Sequence, residues 1–443
     1  KKRFDPTDRF NPGKIVDAPK MDDRRLFRYG PDYNVSAFKT GLDWSDWTGG
    51  GDGFQGAVEM CNNNGACRKL KGGVMCPSFR VTRKEQDLTR GRANTLRLAI
   101  SGQLGPDALT SDEMVETMKL CVSCKGCKHE CPTGVDMARM KIEVQAARVR
   151  KNGLSLQDRL TAFLPRYAPW AARLPLLVNL RNTLPGLAKL TEGLTGFTAT
   201  RKLPTWAKRS FKDSEAAPRD IPKAVVFADC FNRYFEPENL RAALKVMEAA
   251  DVPVHLARAP KGERPLCCGR TFLSAGLIDE AKVEAQRLVD AMMPYVEQGL
   301  PIIGLEPSCL LTLRDEIPAL LPGEDTVKLA AKARMLEEYI ADQEANPDFH
   351  LPLTSPAPKV LLHGHCHQKA MGVMSSIEKT LALLPDTQVE TVETSCCGMA
   401  GAFGYGTDTH ETSRAMAELD LAPAVREADT NTLIVADGTS CRH

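Results

Sequence analysis

From residue 221 onward, short apolar runs alternate with longer stretches whose apolar positions recur every three or four residues. Ala224-Val225-Val226-Phe227-Ala228 is the first run, and its length predicts a buried strand. Pro237 to Ala250 has helical spacing. The run Pro253 to Ala257 follows, then a long amphipathic stretch from about Asp279 to Glu297, then the run Pro301 to Leu305. The same order returns later. Lys359 to His363 predicts a strand, Ile377 to Leu384 lies in a helix, and Gln388 to Val392 predicts a strand. A helix from about Asp408 to Leu419 and a strand from Thr432 to Ala436 complete the series. Alternating strands and helices predict a parallel α/β arrangement, and the return of the whole order predicts two homologous units, 221–345 and 357–443.

The front of the chain has no such alternation. Residues 1–60 are rich in Gly, Asp, Pro and Trp, show no period, and read as a tail (1–20) and a linker (21–60). Residues 61–150 read as helical. One helix covers Asn94 to Leu104, one starts at Ser111 or Asp112 with Glu113 in its first turn, and one follows Pro132 with Val135, Met137, Met140, Ile142 and Val144 on its apolar side. Residues 151–220 form a Leu/Pro/Arg-rich bridge that Pro165, Pro169, Pro175, Pro185 and Pro204 cut into short helices. It reads either as a packed wrap between domains or as a surface resting on a membrane or partner.

Composition narrows the class. The chain has 443 residues, 43% of them hydrophobic, enough for several cores. A net charge of +2, with no long basic block, argues against a nucleic-acid partner. There is no run of 18 apolar residues and no leader-like start, so a cytoplasmic, reducing location is expected. The first residue is Lys1 rather than Met, and the chain reads as the rear portion of something longer.

The 15 cysteines carry the chemistry. Cys121-x2-Cys124-x2-Cys127-x3-Cys131-Pro132 has the ligand spacing of a two-cluster ferredoxin, in which three thiolates wrap one four-iron cubane and the fourth serves the other cluster. A zinc ribbon does not call for that spacing. The partner half is Cys61, Cys67 and Cys76-Pro77, with Asn64 where a middle cysteine would fall. Crossed ligation predicts a complete four-iron site from Cys76, Cys121, Cys124 and Cys127. It leaves three thiolates, Cys61, Cys67 and Cys131, for a three-iron cluster, a four-iron cluster with another ligand, or no cluster. Arg90 and Arg92 lie between the halves, either as a solvated face or as groups that hold cluster-loop carbonyls and offset cluster charge.

The other eight cysteines repeat with the α/β units. Cys230, Cys267-Cys268-Gly269 and Cys309 recur as Cys366, Cys396-Cys397-Gly398 and Cys441. Lone cysteines at strand ends and paired cysteines in a glycine turn sit where open α/β sheets gather ligands. Four thiolates per unit suit an iron–sulfur centre, a redox dithiol or zinc. Gly269 and Gly398 are expected to give the tight backbone that presents both thiols. His363, His365 and His367 bracket Cys366 and are candidates either for a metal, catalytic or proton-transfer role or for plain packing and hydrogen bonding, with His365 and His367 expected on one side of an extended strand end. Glu306 before Cys309 and Asp437 before Cys441 could orient a histidine or take a proton.

These motifs resemble a known group. The paired Cys-Cys-Gly units behind a two-cluster ferredoxin are similar to heterodisulfide reductase, the iron–sulfur subunit of anaerobic glycerol-3-phosphate dehydrogenase, and the glycolate and lactate oxidase iron–sulfur subunits. Phe4-Asp5-Pro6 through Asn11-Pro12-Gly13-Lys14-Ile15 resembles the closing segment of an FAD-linked oxidase domain, and Thr89-Arg90-Gly91-Arg92-Ala93-Asn94 also resembles the fused proteins of D-lactate or D-2-hydroxyglutarate dehydrogenase type. The resemblance implies a helical two-cluster ferredoxin-like domain followed by two parallel α/β cysteine-rich units, an α+β and α/β fold. It also implies FAD in an upstream domain, Asn11 near that flavin, and electron transfer from reduced flavin to a quinone, a flavoprotein or a cytochrome. Peripheral contact with the inner face of the cytoplasmic membrane and a homo-oligomer are compatible with it. The alternatives are a heterodisulfide-reductase-like thiol/disulfide module and a zinc-binding structural or assembly protein.

Overall fold

The computed structural model describes residues 1–443 except 28, 37, 48–50 and 217–220. The first α/β unit has four short strands: β1 (Ala224–Val226), β2 (Val254–Leu256), β3 (Ile302–Gly304) and β4 (Ala333–Met335). They form one parallel sheet in the order β2-β1-β3-β4, with Val225 paired to His255 on one side and Ile302 on the other. β1 and β3 are buried throughout, which is why they read as unbroken apolar runs. Sequence periodicity misses β4, because Ala333-Arg334-Met335 is three residues long with a polar centre.

The second unit repeats the plan with β5 (Lys359–Leu362), β6 (Gln388–Thr391) and β7 (Thr432–Val435), parallel and in the order β6-β5-β7. In both units the central strand runs into the lone cysteine, at Cys230 after β1 and Cys366 after β5. Helices dominate the rest of the chain, and the small parallel sheets place it in the expected α+β and α/β class.

The front region is helical. Helices Thr89–Ile100, Asp112–Lys119 and Met137–Asn152 bury Leu96, Ile100, Met114, Met118, Met140 and Ile142. Ser111 caps the second of these by accepting the Met114 N–H. This core is continuous with Phe272, Leu273 and Ile278 of the first α/β unit.

Residues 41–47 and 51–59, read from the sequence as part of the linker, pack into the same core. Leu42, Trp44, Phe54, Ala57 and Val58 are buried there. The fully buried Glu143 carboxylate accepts the backbone N–H groups of Gly41 and Leu42 and the Trp44 indole N–H. The residue that orders this segment lies about a hundred positions away, so no local period announces it.

The bridge folds into short helices, among them Leu156–Ala162, Leu164–Ala171 and Leu187–Thr195. Its inner side is packed: Ala162 and Ala168 are buried, and Phe163 meets Phe272 edge-on at 5.4 Å. Its outer side leaves Trp170, Leu176, Leu190 and Leu194 exposed. Among the described residues no helix is long and apolar enough to cross a membrane.

Candidate metal centres

Four thiols of the front region converge. Cys76, Cys121, Cys124 and Cys127 line one small cavity together with Thr89, Arg92 and Met137. Left-handed backbone at Cys76, Ser123 and Lys125 turns the two loops around this space. Cys76 is braced by Thr89, whose N–H donates to its sulfur at 3.2 Å and whose hydroxyl lies 3.2 Å away. Burial pushes the Cys76 thiol up to about 11 and also raises Cys124 and Cys127. Four converging thiols, of which burial raises Cys76, Cys124 and Cys127, are a donor set for a cationic centre, whose charge reverses that preference.

The two arginines differ: Arg92 ties neighbouring helices together, and Arg90 reaches the first cysteine loop. Arg92 is buried and donates through Nε to the Thr117 carbonyl at 3.0 Å and through Nη2 to Ser78 Oγ at 3.3 Å. Arg90 reaches the Asn63 carbonyl at 3.5 Å, pairs with Glu85 at 2.5 Å and stands beside Cys61 and Cys67. Burial raises the Cys67 thiol against the pull of Arg90. Asn64 is exposed, and its side-chain oxygen accepts the Ala66 N–H at 2.8 Å. Cys131 faces its own loop: hydrogen bonds from Thr133 and nearby backbone N–H groups outweigh burial and lower its pKa. The described contacts thus join Cys61 to Cys67 and set Cys131 against Thr133.

In the first α/β unit the buried sulfurs form a chain of contacts, Cys230 to Cys267 to Cys268 to Cys309. In the second, Cys366 and Cys396 sulfurs are 3.5 Å apart, and Cys396 meets Cys397, which meets Cys441. The turn is the same twice. The N–H of Gly269 donates to Cys267 Sγ at 3.3 Å, and that of Gly398 to Cys396 Sγ at 3.2 Å. Both glycines have left-handed φ, +77° and +81°. A Cβ on Gly398 would stand 2.1 Å from the Ser413 carbonyl oxygen, against 3.1 Å to Ala281 O for Gly269. Gly398→Ala is therefore expected to cost more than the ~1–2 kcal/mol of the left-handed backbone alone. Gly269→Ala should sit near that value, and urea unfolding of both variants measures the difference.

The three histidines take separate places. His365 is the N-cap of helix Cys366–Ala370: its Nδ1 accepts the His367 N–H at 3.2 Å and its Nε2 lies 3.3 Å from Ser308 Oγ of the first unit. His367 Nε2 lies 3.1 Å from the Ser123 carbonyl in the front cysteine loop. The expected extended strand end is thus a helix start, with the two rings edge-on at 5.1 Å. Burial lowers His365 to about 4 and His367 well below its usual value, so both are neutral braces between regions. A ring nitrogen of His363 and the sulfurs of Cys397 and Cys441 all lie within 4.8 Å of one another, and the Cys397 thiol also acts on His365. Glu306 accepts the N–H groups of Ser308 and Thr439, and Asp437 accepts the Gln368 amide, so their hydrogen-bond partners are not histidines. Asn11 is exposed near the start of the chain, with φ +47°.

The front loop also meets both units. Val74, Val122, Cys124, Cys366 and Cys396 form one apolar cluster, and the Cys124 thiol is raised in part by Cys366. Lys125, between two of the cavity cysteines, is buried and pairs with Asp315 at 2.5 Å and Glu316 at 2.6 Å in the first unit. Sequence reasoning missed this latch and the Thr89 brace.

Residues 57–135 match the family described as 4Fe-4S dicluster domain, and residues 224–314 and 360–443 each match the family described as cysteine-rich domain. The chain carries a 4Fe-4S dicluster domain followed by two cysteine-rich domains. It is 26% identical over 501 residues to D-2-hydroxyglutarate dehydrogenase of Escherichia coli (strain K12), covering all of this chain and 46% of that protein. It is 28% identical over 321 residues to a subunit of the anaerobic glycerol-3-phosphate dehydrogenase of the same organism, covering 70% of this chain and 75% of that relative. The glycolate oxidase iron–sulfur subunit of Escherichia coli (strain K12) is 23% identical over 392 residues, covering 85% of each. The chain spans about half the length of the D-2-hydroxyglutarate dehydrogenases it matches. No solved structure matches it. The four-thiol cavity of the dicluster domain and the sulfur quartets of the cysteine-rich domains fit iron–sulfur centres in donor type and number.

Proposed function

We propose that this chain is the electron-exit part of an FAD-dependent D-2-hydroxy-acid dehydrogenase of the D-lactate or D-2-hydroxyglutarate class. It would carry electrons from reduced flavin to a quinone or another acceptor. The observation that carries the reading is the meeting of Cys124 and Cys366 in one apolar cluster, which puts the dicluster domain directly against the second cysteine-rich domain. The relatives support it: each is a dehydrogenase, or a subunit of a dehydrogenase or an oxidase. A chain that covers 46% of such a dehydrogenase leaves room for flavin and hydroxy acid in the remainder.

Iron–sulfur clusters, when bound, pass electrons one at a time. Cys76, Cys121, Cys124 and Cys127 would hold one, and Cys61, Cys67 and Cys131 are the thiols left for a second. The two cysteine quartets would hold one centre each. Thr89 donates to Cys76 and Lys141 to the Cys121 carbonyl at 2.5 Å, while Arg92 holds the Thr117 carbonyl of the helix that leads into the loop, which keeps the loops in place as charge on the site changes. The exposed Trp170, Leu176, Leu190 and Leu194 support seating on the inner face of a membrane, where a quinone is met.

The test is anaerobic purification of the full chain with iron, sulfide and zinc analysis, EPR, and reduction by a photoreduced free flavin. Iron with sulfide, and EPR signals that appear on flavin reduction, are expected. Zinc without iron would point to a structural role and end this reading. Iron confined to the dicluster domain, with rapidly alkylated thiols in both quartets, would favour thiol/disulfide chemistry instead.

A further inference from the structure

The two cysteine-rich domains match in their thiols and differ three residues before the leading cysteine. Phe227 stands there before Cys230, and His363 before Cys366. Each follows the central strand of its sheet, and each is almost fully buried, at 1% and 2% exposure. Phe227 joins the apolar core. His363 Nδ1 lies 3.0 Å from Thr394 Oγ1, and its buried Nε2 has no nitrogen or oxygen partner, while the ring pairs with the Cys397 thiol. A sulfur is a weak hydrogen-bond partner, so a buried ring nitrogen left to one is poorly satisfied unless something else occupies it.

Its surroundings say what that something is. A ring nitrogen of His363 and the sulfurs of Cys397 and Cys441 lie within 4.8 Å of one another. Nδ1 is engaged by Thr394, so Nε2 is the nitrogen free to bind. The Thr394 hydroxyl is itself fixed by Lys369 Nζ at 2.9 Å and has a further lone pair for an Nδ1–H. That arrangement leaves the Nε2 lone pair pointing away from Thr394 and holds the ring as metal-bound histidines are held.

We propose that His363 is a nitrogen ligand of the metal centre in the second cysteine-rich domain, beside Cys397 and Cys441. The two domains then hold chemically different centres, thiolate-only in the first and mixed imidazole and thiolate in the second. The metal is one that accepts both donors, iron or zinc. This rests on the reading that each cysteine-rich domain holds a metal.

The full chain is purified without oxygen as wild type, His363→Phe, His363→Cys, His367→Gln and Cys397→Ser, and iron, zinc and sulfide are counted. Retained EPR signals of the dicluster domain show that each variant is folded. His363→Phe and Cys397→Ser are expected to lose the same metal, while His367→Gln and His363→Cys keep it. If that metal is iron, pulsed EPR of the reduced wild type shows a strongly coupled nitrogen, absent from His363→Cys and present in His367→Gln. If it is zinc, zinc-edge absorption fits one nitrogen among sulfurs, and the nitrogen disappears in His363→Cys. Full metal in His363→Phe but not in Cys397→Ser overturns the histidine ligand alone. Full metal in both overturns the metal-bearing domain and the ligand with it.

Discussion

Cys76→Ser is expected to abolish the four-iron site of the dicluster domain while the chain stays folded. Cys76 is the remote member of the quartet, set at the start of helix Pro77–Thr82 and brought to Cys121, Cys124 and Cys127 by left-handed backbone. Loss of a ligand should exceed the ~10–100-fold fall in metal affinity that follows loss of a group behind a ligand. Thr89→Val, which removes only the hydroxyl brace, should stay within that range and shift the reduction potential without emptying the site. Iron and sulfide counts with EPR separate the two variants. In a protein that includes the flavin part, Cys76→Ser should also stop transfer to the acceptor while flavin reduction by the hydroxy acid continues. Unchanged iron in Cys76→Ser would refute the crossed quartet.

The difference between what the sequence shows and what it hides has a physical basis. Cys121, Cys124 and Cys127 declare themselves because one cluster needs three donors on one short loop. The Cys-Cys-Gly turns declare themselves because a left-handed residue with no side chain must follow the paired thiols, and the N–H of each glycine is bonded to sulfur. β1, β3 and β5 are legible because they are buried and apolar. β4 is not, because its order comes from pairing with β3 rather than from its own residues. Trp44 and its neighbours wait on Glu143, and His365 and His367 on Ser308 and Ser123, all remote in sequence. Proximity to Cys366 put all three histidines in one class. His363, which follows the strand, stands with the Cys397 and Cys441 sulfurs, while His365 and His367 belong to the start of the helix at Cys366 and reach Ser308 and Ser123.

Lys125→Met should destabilise the contact between the dicluster domain and the first cysteine-rich domain by ~3–5 kcal/mol, the cost of leaving buried charge unpaired. Lys125 and both of its partners, Asp315 and Glu316, are nearly inaccessible. Lys128 still reaches Asp315 at 2.5 Å and Arg270 still pairs with Glu316, so part of the network survives and the lower end of the range is the better expectation. Burial alone would raise the Asp315 pKa, but Lys125 and Lys128 overcome it and hold the carboxyl well below the usual carboxylate range. A carboxyl depressed on folding adds stability above its unfolded value, near 4, and loses it as the pH falls. The gap between wild type and Lys125→Met in urea unfolding should therefore be full at neutral pH and shrink in acid. It should change little with salt, because a pair out of contact with water is poorly screened. Asp315→Asn with Lys125→Met should cost less than the sum of the two alone, since the second change removes a charge that the first has orphaned. Lys125 also lies between Cys124 and Cys127, so a loosened latch should disturb the loop that touches Cys366. Slower electron transfer from the dicluster domain to the second cysteine-rich domain is expected in Lys125→Met, with iron content unchanged. Additive stabilities and an unaltered transfer rate would show that the ion pairs hold the surface together without setting the path between the sulfur sites.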